Sequence, residues 1–183
     1  MNLILLDRDG VINHDAADYV KTADEWLPID GSLEAIARLC HADYRIYIVS
    51  NQSGIGRGLF GVETLGDIQA RMQGLLHALG GRIEGLFFCP HHPDEKCRCR
   101  KPADGLLQDL SQRLGVSLKD APFVGDTMKD VQAAKTAGAR PMLVRTGRGE
   151  ETLRQPGFPG DVEVFDNLAA VADALLAPAH PPR

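Results

Sequence analysis

Short apolar runs alternate with amphipathic segments along most of the chain. The apolar runs predict buried strands at Leu3–Leu6, Tyr44–Ser50, 83–88, Ala121–Val124, Met142–Arg145 and Val162–Phe165. The amphipathic segments repeat apolar residues at helical spacing and predict helices at Gly31–Ala42, Leu65–Leu79, Leu106–Leu114, Thr127–Ala137 and Leu168–Leu176. Strands that alternate with helices in this way are typical of an α/β fold with a doubly wound, parallel sheet.

Two segments fall outside this alternation. Residues 147–160 are rich in Gly and Pro and are predicted to form a loop, and residues 177–183 form a Pro-rich tail that we expect to be frayed. We therefore predict a single domain over residues 1–176. A chain of 183 residues that is 44% hydrophobic and 25% charged is long enough to bury one sizeable core.

Charge and hydropathy narrow the functional classes. A formal charge of −5 argues against a nucleic-acid partner, because binding a phosphate backbone needs a basic face. No run approaches the roughly 20 apolar residues of a membrane span, and the start of the chain does not match a signal peptide. We expect a soluble, cytoplasmic monomer that acts on a small molecule and contacts neither nucleic acid nor membrane.

Polar residues follow three of the predicted strands at the point where each strand ends. Asp7 and Asp9 come after the first strand, Ser50 closes the second, and Asp126 follows Val124. Because the carboxyl ends of parallel strands meet at one edge of a sheet, we expect these side chains to share one site. Three carboxylates at one edge repel each other unless a cation sits among them, and oxygen ligands of this kind favour Mg²⁺.

The spacing of the first two acids suggests a division of labour. With a metal ion neutralising charge, one aspartate can attack phosphorus and form an aspartyl-phosphate, and the other can serve as general acid and then as base. Considered alone, Asp7 and Asp9 are equally compatible with capping a loop or a helix. The presence of Ser50 and of the GDTMKD segment at residues 125–130 favours the catalytic interpretation.

Three of the four cysteines crowd together with a histidine. Cys89, His91, Cys97 and Cys99 form a C-x-H pair followed by C-x-C. Three thiolates and one imidazole are the usual donor set of a closed, structural zinc site, and we predict Zn²⁺ there. The alternative is three buried thiols beside a surface histidine. Cys40 lies on the apolar stripe of a helix and is expected to belong to the core.

Four motifs now occur in a recognisable order: DRDGVIN at residues 7–13, SNQSG at 50–54, RKP at 100–102 and GDTMKD at 125–130. In this order they resemble the haloacid dehalogenase superfamily of phosphohydrolases. Within that superfamily, SNQSGIGRG and CPHHPDEKCRCRKP are similar to the D-glycero-D-manno-heptose 1,7-bisphosphate phosphatases, and also to the related histidinol-phosphate phosphatases.

The resemblance implies a role for each motif residue. Asp7 would be the nucleophile and Asp9 the general acid/base, and Asp126 would join Asp7 and the backbone carbonyl of Asp9 around Mg²⁺. Ser50 would donate its hydroxyl to the transferring phosphoryl group. Lys101 would offset the charge that gathers on that group, since phosphoryl transfer depends mostly on positioning and electrostatics.

Substrate recognition is expected to fall to loops, since the spacing between the motifs leaves no room for a large cap domain. The resemblance makes Arg100 a substrate contact, and a bound zinc ion would aim both Arg100 and Lys101 at the site. Arg57 is a weaker candidate for the same purpose. The residues predicted either to bind substrate or to build the turn after the second strand are Asn51, Gln52 and Ser53.

Three functions follow from these patterns. The first is a Mg²⁺-dependent phosphatase that removes the 7-phosphate of a phosphorylated sugar, heptose 1,7-bisphosphate, on the way to ADP-heptose for lipopolysaccharide or S-layer glycan. The second is a histidinol-phosphate phosphatase, which needs an acidic contact such as Asp15 or Asp18 for the substrate's ammonium group. The third is a zinc-stabilised binding module that does not catalyse.

Overall fold

A computed structural model of the chain describes residues 2–16 and 19–178. Six parallel strands form one sheet in the order β3-β2-β1-β4-β5-β6. The strands are β1 Asn2–Leu6, β2 Tyr44–Asn51, β3 Gly85–Cys89, β4 Pro122–Gly125, β5 Arg140–Val144 and β6 Glu163–Phe165. Starting from β1, the chain adds β2 and β3 on one side and then β4, β5 and β6 on the other. This topology confirms the predicted doubly wound parallel fold.

Helices cover both faces of the sheet. Their bounds are α1 Ser32–His41, α2 Ser53–Gly56, α3 Val62–Ala78, α4 Gly105–Leu114, α5 Met128–Ala137, α6 Gly149–Leu153 and α7 Leu168–Leu176, with a 3₁₀ turn at Pro93–Glu95. Alternate residues of β1 point to opposite faces of the sheet. Ile4 and Leu6 pack on the face covered by α1, α3 and α7. Leu3 and Leu5 pack on the face covered by α4 and α5. A continuous apolar run is what a strand buried on both faces requires.

The register of the strands places the polar motifs side by side. Leu6, the last residue of β1, pairs with Ile48 of β2 on one side and with Val124 of β4 on the other. Asp7 therefore leaves the sheet between Ser50 and Asp126, and its amide N–H donates to the Val124 carbonyl at 2.8 Å. The predicted meeting of these side chains at one edge follows from this register.

Two short helices were missing from the sequence prediction. The segment predicted as a loop over 147–160 contains α6, and α2 follows β2 directly. Helices of four or five residues show no helical period, and their stability comes from tertiary contacts. For α6 one such contact is the Thr152 hydroxyl, which donates to the Asp126 carbonyl at 2.8 Å.

The described residues contain no inserted cap domain, as predicted. Between β1 and α1 the chain forms a loop, and between β2 and β3 it forms only α2 and α3. None of the helices described is both long and apolar enough to cross a membrane. The last helix ends at Leu176, so most of the tail predicted to be frayed, at 179–183, lies outside the described residues.

Candidate active site

A cavity of about 260 Å³ opens at the carboxyl edge of the sheet. It brings together most of the residues predicted from sequence, namely Asp7, Asp9, Ser50, Asn51, Gln52, Ser53, Arg100, Lys101 and Asp126. The loop after β1 forms part of its wall through Asp15, Ala16, Tyr19 and Val20. Arg57 is exposed and does not line the cavity, so the geometry does not support the prediction that it binds substrate.

Three carboxylates form the floor of the cavity. One oxygen each from Asp7, Asp126 and Asp130 lies within 4.8 Å of the other two. Burial, together with the charges of the neighbouring acids, raises the pKa of Asp7 to about 7 and that of Asp126 to about 8. A divalent cation would remove this repulsion, and an all-oxygen donor set of this kind suits Mg²⁺. The residues therefore fit the predicted metal.

Lys101 lies beside this cluster and is only 2% exposed. Its ammonium is 2.9 Å from Asp7 Oδ2 and 2.6 Å from Asp130 Oδ1, and it donates to the Val49 carbonyl at 2.8 Å. Burial alone would lower the pKa of Lys101, but the carboxylates of Asp130 and Asp7 outweigh it and raise the pKa. The lysine is therefore a permanent positive charge next to the predicted nucleophile.

Asp130 connects this lysine to the start of α5. Its Oδ2 accepts hydrogen bonds from the Thr127 amide at 3.0 Å and from the Thr127 hydroxyl at 2.6 Å, which caps the helix. Asp130 and Thr127 thus form a capping box at the start of α5. The ion pair with Lys101 was not predicted, because those residues are far apart in sequence.

Asp126 is held by close packing of backbone. A Cβ on Gly10 would lie 2.1 Å from Asp126 Oδ2, and one on Gly147 would lie 2.2 Å from the same oxygen. Both glycines have positive φ, which L side chains rarely adopt. The amide of Arg148 donates to Asp126 Oδ2 at 2.8 Å. Any side chain at either glycine would displace this carboxylate.

Asp9 points away from the acid cluster and is held by several donors. The guanidinium of Arg8 contacts both of its oxygens, at 2.9 and 3.0 Å. Asn13 donates to Oδ1 at 2.8 Å, and Gln52 donates to Oδ2 at 3.0 Å. The carboxylate of Asp9 is thus absent from the cluster of described acids that could hold a metal, and the role of its backbone carbonyl as a ligand stays a prediction.

The residues at the end of β2 and just after it make mostly internal contacts. The Asn51 side chain pairs with the backbone of Lys101, accepting from its N–H at 3.0 Å and donating to its carbonyl at 3.1 Å. This pair ties the loop after the cysteines to β2. The hydroxyls of Ser53 and Tyr19 lie 3.3 Å apart. That Asn51 and Ser53 bind substrate stays a prediction.

Cations line the opposite wall and the rim of the cavity. Arg100 is half-buried, and its Nη1 has no hydrogen-bond partner within the described part of the chain. Burial and the nearby charges of Arg100 and Arg148 lower the pKa of Lys129. Among the described residues, Arg148 is the one cation of this wall with an ion pair, to Asp15 at 3.2 Å. This concentration of positive charge beyond the acid cluster suits a second anionic group.

The cysteine cluster lies beside this wall. The sulfur atoms of Cys89, Cys97 and Cys99 are 3.4 Å apart, and His91 Nδ1 is 3.5 Å from the first and 3.2 Å from the last. A tetrahedral ion with bonds of about 2.3 Å would separate such donors by about 3.7 Å, so the four atoms fit zinc. His92 is not part of the cluster and instead accepts from the Asp94 amide.

Several residues of the site escaped sequence reasoning. Arg8 lies between the two predicted acids, and a charged residue directly beside a motif is usually solvated. Lys129 and Arg148 were passed over for the same reason, although Lys129 lies inside the GDTMKD motif. The available signal was position, because Lys129 and Arg148 follow strands β4 and β5 at the edge where ligands bind.

A parallel sheet whose carboxyl edge carries paired acids, a strand-end serine, a buried lysine and a GD-x-x-x-D motif defines a haloacid dehalogenase-like hydrolase. A family model described as HAD-hydrolase-like matches residues 98–171. The comparisons with known proteins extend the assignment over nearly the whole chain.

The chain is 49% identical to a D-glycero-β-D-manno-heptose-1,7-bisphosphate 7-phosphatase of Bordetella bronchiseptica, covering 98% of this chain and 100% of the relative. It is 47% identical to the Pseudomonas aeruginosa protein of the same name, covering 96% of this chain and 98% of the relative. The crystal structure of D,D-heptose 1,7-bisphosphate phosphatase from B. bronchiseptica, complexed with magnesium and phosphate, superposes with a TM-score of 0.94 at 49% identity, over 96% of this chain and 98% of that one. The Burkholderia thailandensis phosphatase of that name gives a TM-score of 0.77 at 40% identity, over 97% and 100%. The chain belongs to the family of D-glycero-β-D-manno-heptose-1,7-bisphosphate 7-phosphatases, and it is a phosphoric monoester hydrolase.

Proposed function

We propose that this protein is a Mg²⁺-dependent phosphatase that removes the 7-phosphate of D-glycero-D-manno-heptose 1,7-bisphosphate, on the route to ADP-heptose. The observation that carries the proposal is the division of one cavity into two regions. One would hold a phosphate together with Mg²⁺, and the other is lined by cations that could hold a second phosphate. An acid cluster with a buried lysine forms its floor, and a group of cations forms its wall and rim. A substrate with a reacting phosphate at one end and a second phosphate at the other matches this division.

The chain's own residues supply the chemistry in two steps. In the first, a carboxylate oxygen of Asp7 attacks the phosphorus, the bond to the sugar oxygen breaks, and Asp9 gives its proton to the departing alkoxide. In the second, Asp9 takes a proton from water as that water attacks the phosphorus of the aspartyl-phosphate, which releases phosphate and regenerates Asp7. The products are heptose 1-phosphate and inorganic phosphate.

Positioning and charge lower the barrier to both steps. Lys101 lies 2.9 Å from Asp7 Oδ2 and stabilises negative charge as it moves onto the phosphoryl oxygens. Ser50 lines the same cavity and donates a hydrogen bond to that group. A magnesium ion held by Asp7, Asp126 and the Asp9 carbonyl would neutralise the acids and polarise the phosphoryl group.

The second phosphate is proposed to lie against the cationic wall. The buried Nη1 of Arg100 lacks a partner among the described residues, and a phosphate oxygen would supply one. Lys129 lines the cavity near Arg100 and adds a second positive charge. A monophosphate sugar would leave this region unused.

The geometry does not favour the histidinol-phosphate alternative. That substrate carries an ammonium group, which a wall of three cations would repel. Of the two acids considered for binding it, Asp15 is already paired with Arg148, and Asp18 lies outside the described residues.

A phosphate-release panel tests the proposal. It contains both anomers of heptose 1,7-bisphosphate, heptose 7-phosphate, histidinol phosphate and p-nitrophenyl phosphate, each with Mg²⁺ and after removal of Mg²⁺ by dialysis. We expect the bisphosphate to be turned over with a kcat/KM about 10- to 150-fold above that of the monophosphates, since a lost charged contact costs roughly 1.5–3 kcal/mol. Equal turnover of heptose bisphosphate and heptose 7-phosphate would contradict the assignment.

We further propose that the enzyme works in the cytoplasm and as a monomer. Three cysteine sulfurs within 3.4 Å of each other need a reducing compartment to stay available for zinc. Every residue of the proposed mechanism comes from one chain, so the site is complete without a partner subunit. Light scattering on the purified protein tests the second point, with a mass near 19.8 kDa expected.

A further inference from the structure

We propose that Gln52 is a positioning residue that holds the Ser50 hydroxyl as a hydrogen-bond donor toward the phosphoryl group. This inference rests on the proposed function, because it assigns a direction to a hydrogen bond in that reaction. It starts from the contacts of a single buried amide, because the Gln52 side chain is hydrogen-bonded to Arg8, Asp9 and Ser50.

A neighbouring guanidinium determines which end of the Gln52 amide is oxygen and which is nitrogen. Arg8 Nη2 lies 3.2 Å from Oε1, and a guanidinium can only donate. Asp9 Oδ2 lies 3.0 Å from Nε2 and accepts from it. The reversed amide would place its N–H groups against the guanidinium of Arg8, which has no lone pair to accept them. Arg8 therefore sets the orientation, and the contact with Asp9 is compatible with it.

The Gln52 amide in turn determines whether the Ser50 hydroxyl donates or accepts in the hydrogen bond between them. Gln52 Nε2 also lies 2.9 Å from Ser50 Oγ, and with its oxygen turned to Arg8 the amide can only donate to this hydroxyl. Ser50 Oγ is thus an acceptor toward Gln52, and its own hydrogen must point elsewhere. Within the described residues, the one hydrogen bond recorded for Ser50 Oγ is the bond that it accepts from Gln52, and Ser50 lines the cavity.

The arrangement is buried and therefore persistent. Arg8 is 1% exposed, Ser50 1% and Gln52 3%, so water cannot easily replace one partner by another. Within a site of low dielectric, a donor oriented before the reaction stabilises developing charge without paying for reorganisation at that moment. If the Ser50 hydroxyl rotated freely, its hydrogen would point away from the phosphoryl group part of the time and would form no hydrogen bond with it.

A double-mutant cycle on p-nitrophenyl phosphate tests this chain of contacts, because that ester reports the chemistry without needing the heptose. We expect Ser50→Ala to lower kcat by about 100-fold, and Gln52→Met, which keeps the length of the side chain but not its amide, by about tenfold. In the Ser50→Ala background, Gln52→Met should have a clearly smaller effect than in wild type, because the hydroxyl it orients is gone and only its hydrogen bond to Asp9 remains to be lost. Vanadate inhibition should weaken in parallel with kcat, while KM changes little.

Gln73→Met is the matched control. Gln73 also uses its amide internally, on the backbone of Ile83, but it lies on α3 away from the cavity. It should leave kcat and the inhibition by vanadate unchanged. The rise in Tm on adding Mg²⁺ should be equal in wild type and Gln52→Met, since the acid cluster is untouched.

Gln52→Glu is a second route if Gln52→Met does not fold. Its carboxylate still accepts from Arg8 but can only accept from Ser50, so the hydroxyl turns inward and kcat should fall at least as far as in Ser50→Ala. Full kcat in the folded Gln52 variants, or losses that multiply in the double mutant, would overturn the inference. Failure of the wild-type protein to hydrolyse any phosphate ester would instead overturn the proposed function.

Discussion

The ammonium of Lys101 lies between Asp7 Oδ2, at 2.9 Å, and Asp130 Oδ1, at 2.6 Å, with almost no access to water. Removing the lysine leaves two buried carboxylates without their cation. We expect Lys101→Met to lower kcat by about 100- to 1000-fold, and to lower the free energy of unfolding by about 3–5 kcal/mol. Phosphate release and urea unfolding measure the two effects. Lys101→Arg should recover stability better than activity, because the larger guanidinium does not fit the same three contacts.

Asp7→Asn tests the proposed nucleophile. The amide cannot form an acyl phosphate, so we expect kcat to fall to background while the fold persists. Acid quenching followed by mass spectrometry should detect a phosphorylated chain in wild type and none in the variant. Asp109→Asn, on the exposed surface of α4, is the control and should behave like wild type. Full turnover by Asp7→Asn would remove the covalent mechanism.

Magnesium should stabilise the protein more at high pH than at low pH. Without a cation, the folded-state pKa values of Asp7 and Asp126 are raised from 3.8 to about 7 and about 8. The folded state therefore holds protons that the unfolded state has lost, and the stability linked to them falls as pH rises from about 4 to about 8. We expect added Mg²⁺ to raise Tm more at pH 8 than at pH 5.

Thermal melts of protein dialysed free of Mg²⁺ measure this difference. Dialysis is preferable to a strong chelator, which would also strip zinc. Asp126→Asn removes one of the two titrating acids and one predicted ligand, so its Tm should respond weakly to Mg²⁺ at both pH values. An equal response of wild type at pH 5 and pH 8 would contradict the linkage.

Zinc should be required for folding of the loop that carries Lys101. Cys99 is separated from Lys101 by a single residue, so loss of the metal should disturb the position of the lysine. We expect Cys97→Ser to bind less than one equivalent of zinc and to lower kcat by more than tenfold. Cys40→Ser is the matched control, since Cys40 contacts the Arg82 backbone outside the cluster, and it should keep its zinc. Elemental analysis and phosphate release are the two measurements.

Lys129 should affect recognition of the second phosphate and not the chemistry at the first. We expect Lys129→Ala to raise KM for heptose bisphosphate by about tenfold, the cost of one charged contact at a partly exposed site, with kcat/KM for p-nitrophenyl phosphate unchanged. Arg57→Ala, whose side chain lies outside the cavity, should change neither. A loss of activity on both substrates would place Lys129 in the catalytic step instead.

The sequence predicts the acids of the site well because topology carries the information. Once strands and helices alternate, Asp7 and Asp126 must leave neighbouring strands at the same edge. The zinc ligands can also be predicted from the sequence, since all four lie within eleven residues. Patterns of this kind can be recognised in the sequence without any knowledge of tertiary contacts.

Contacts that cross between loops were not predictable in the same way. The ion pair of Lys101 with Asp130 and the bond from Gln52 to Asp9 join residues 29 and 43 positions apart, and neither leaves a periodic trace in the sequence. Gln52 was considered for substrate binding or for building a turn, whereas its amide is engaged inside the protein. The helix α6 escaped for another reason, because five residues are too few to reveal a period.

The lack of an inserted domain over the cavity has a consequence for turnover. Enzymes with a mobile lid must close it before the reaction and open it afterwards, and that motion often limits their rate. Here the described residues place no inserted domain over the cavity, so we expect arrival and departure of the substrate to be diffusive events that require no hinge. Added viscogen should then slow association with substrate, while the rate at saturation continues to report the breaking of bonds to phosphorus.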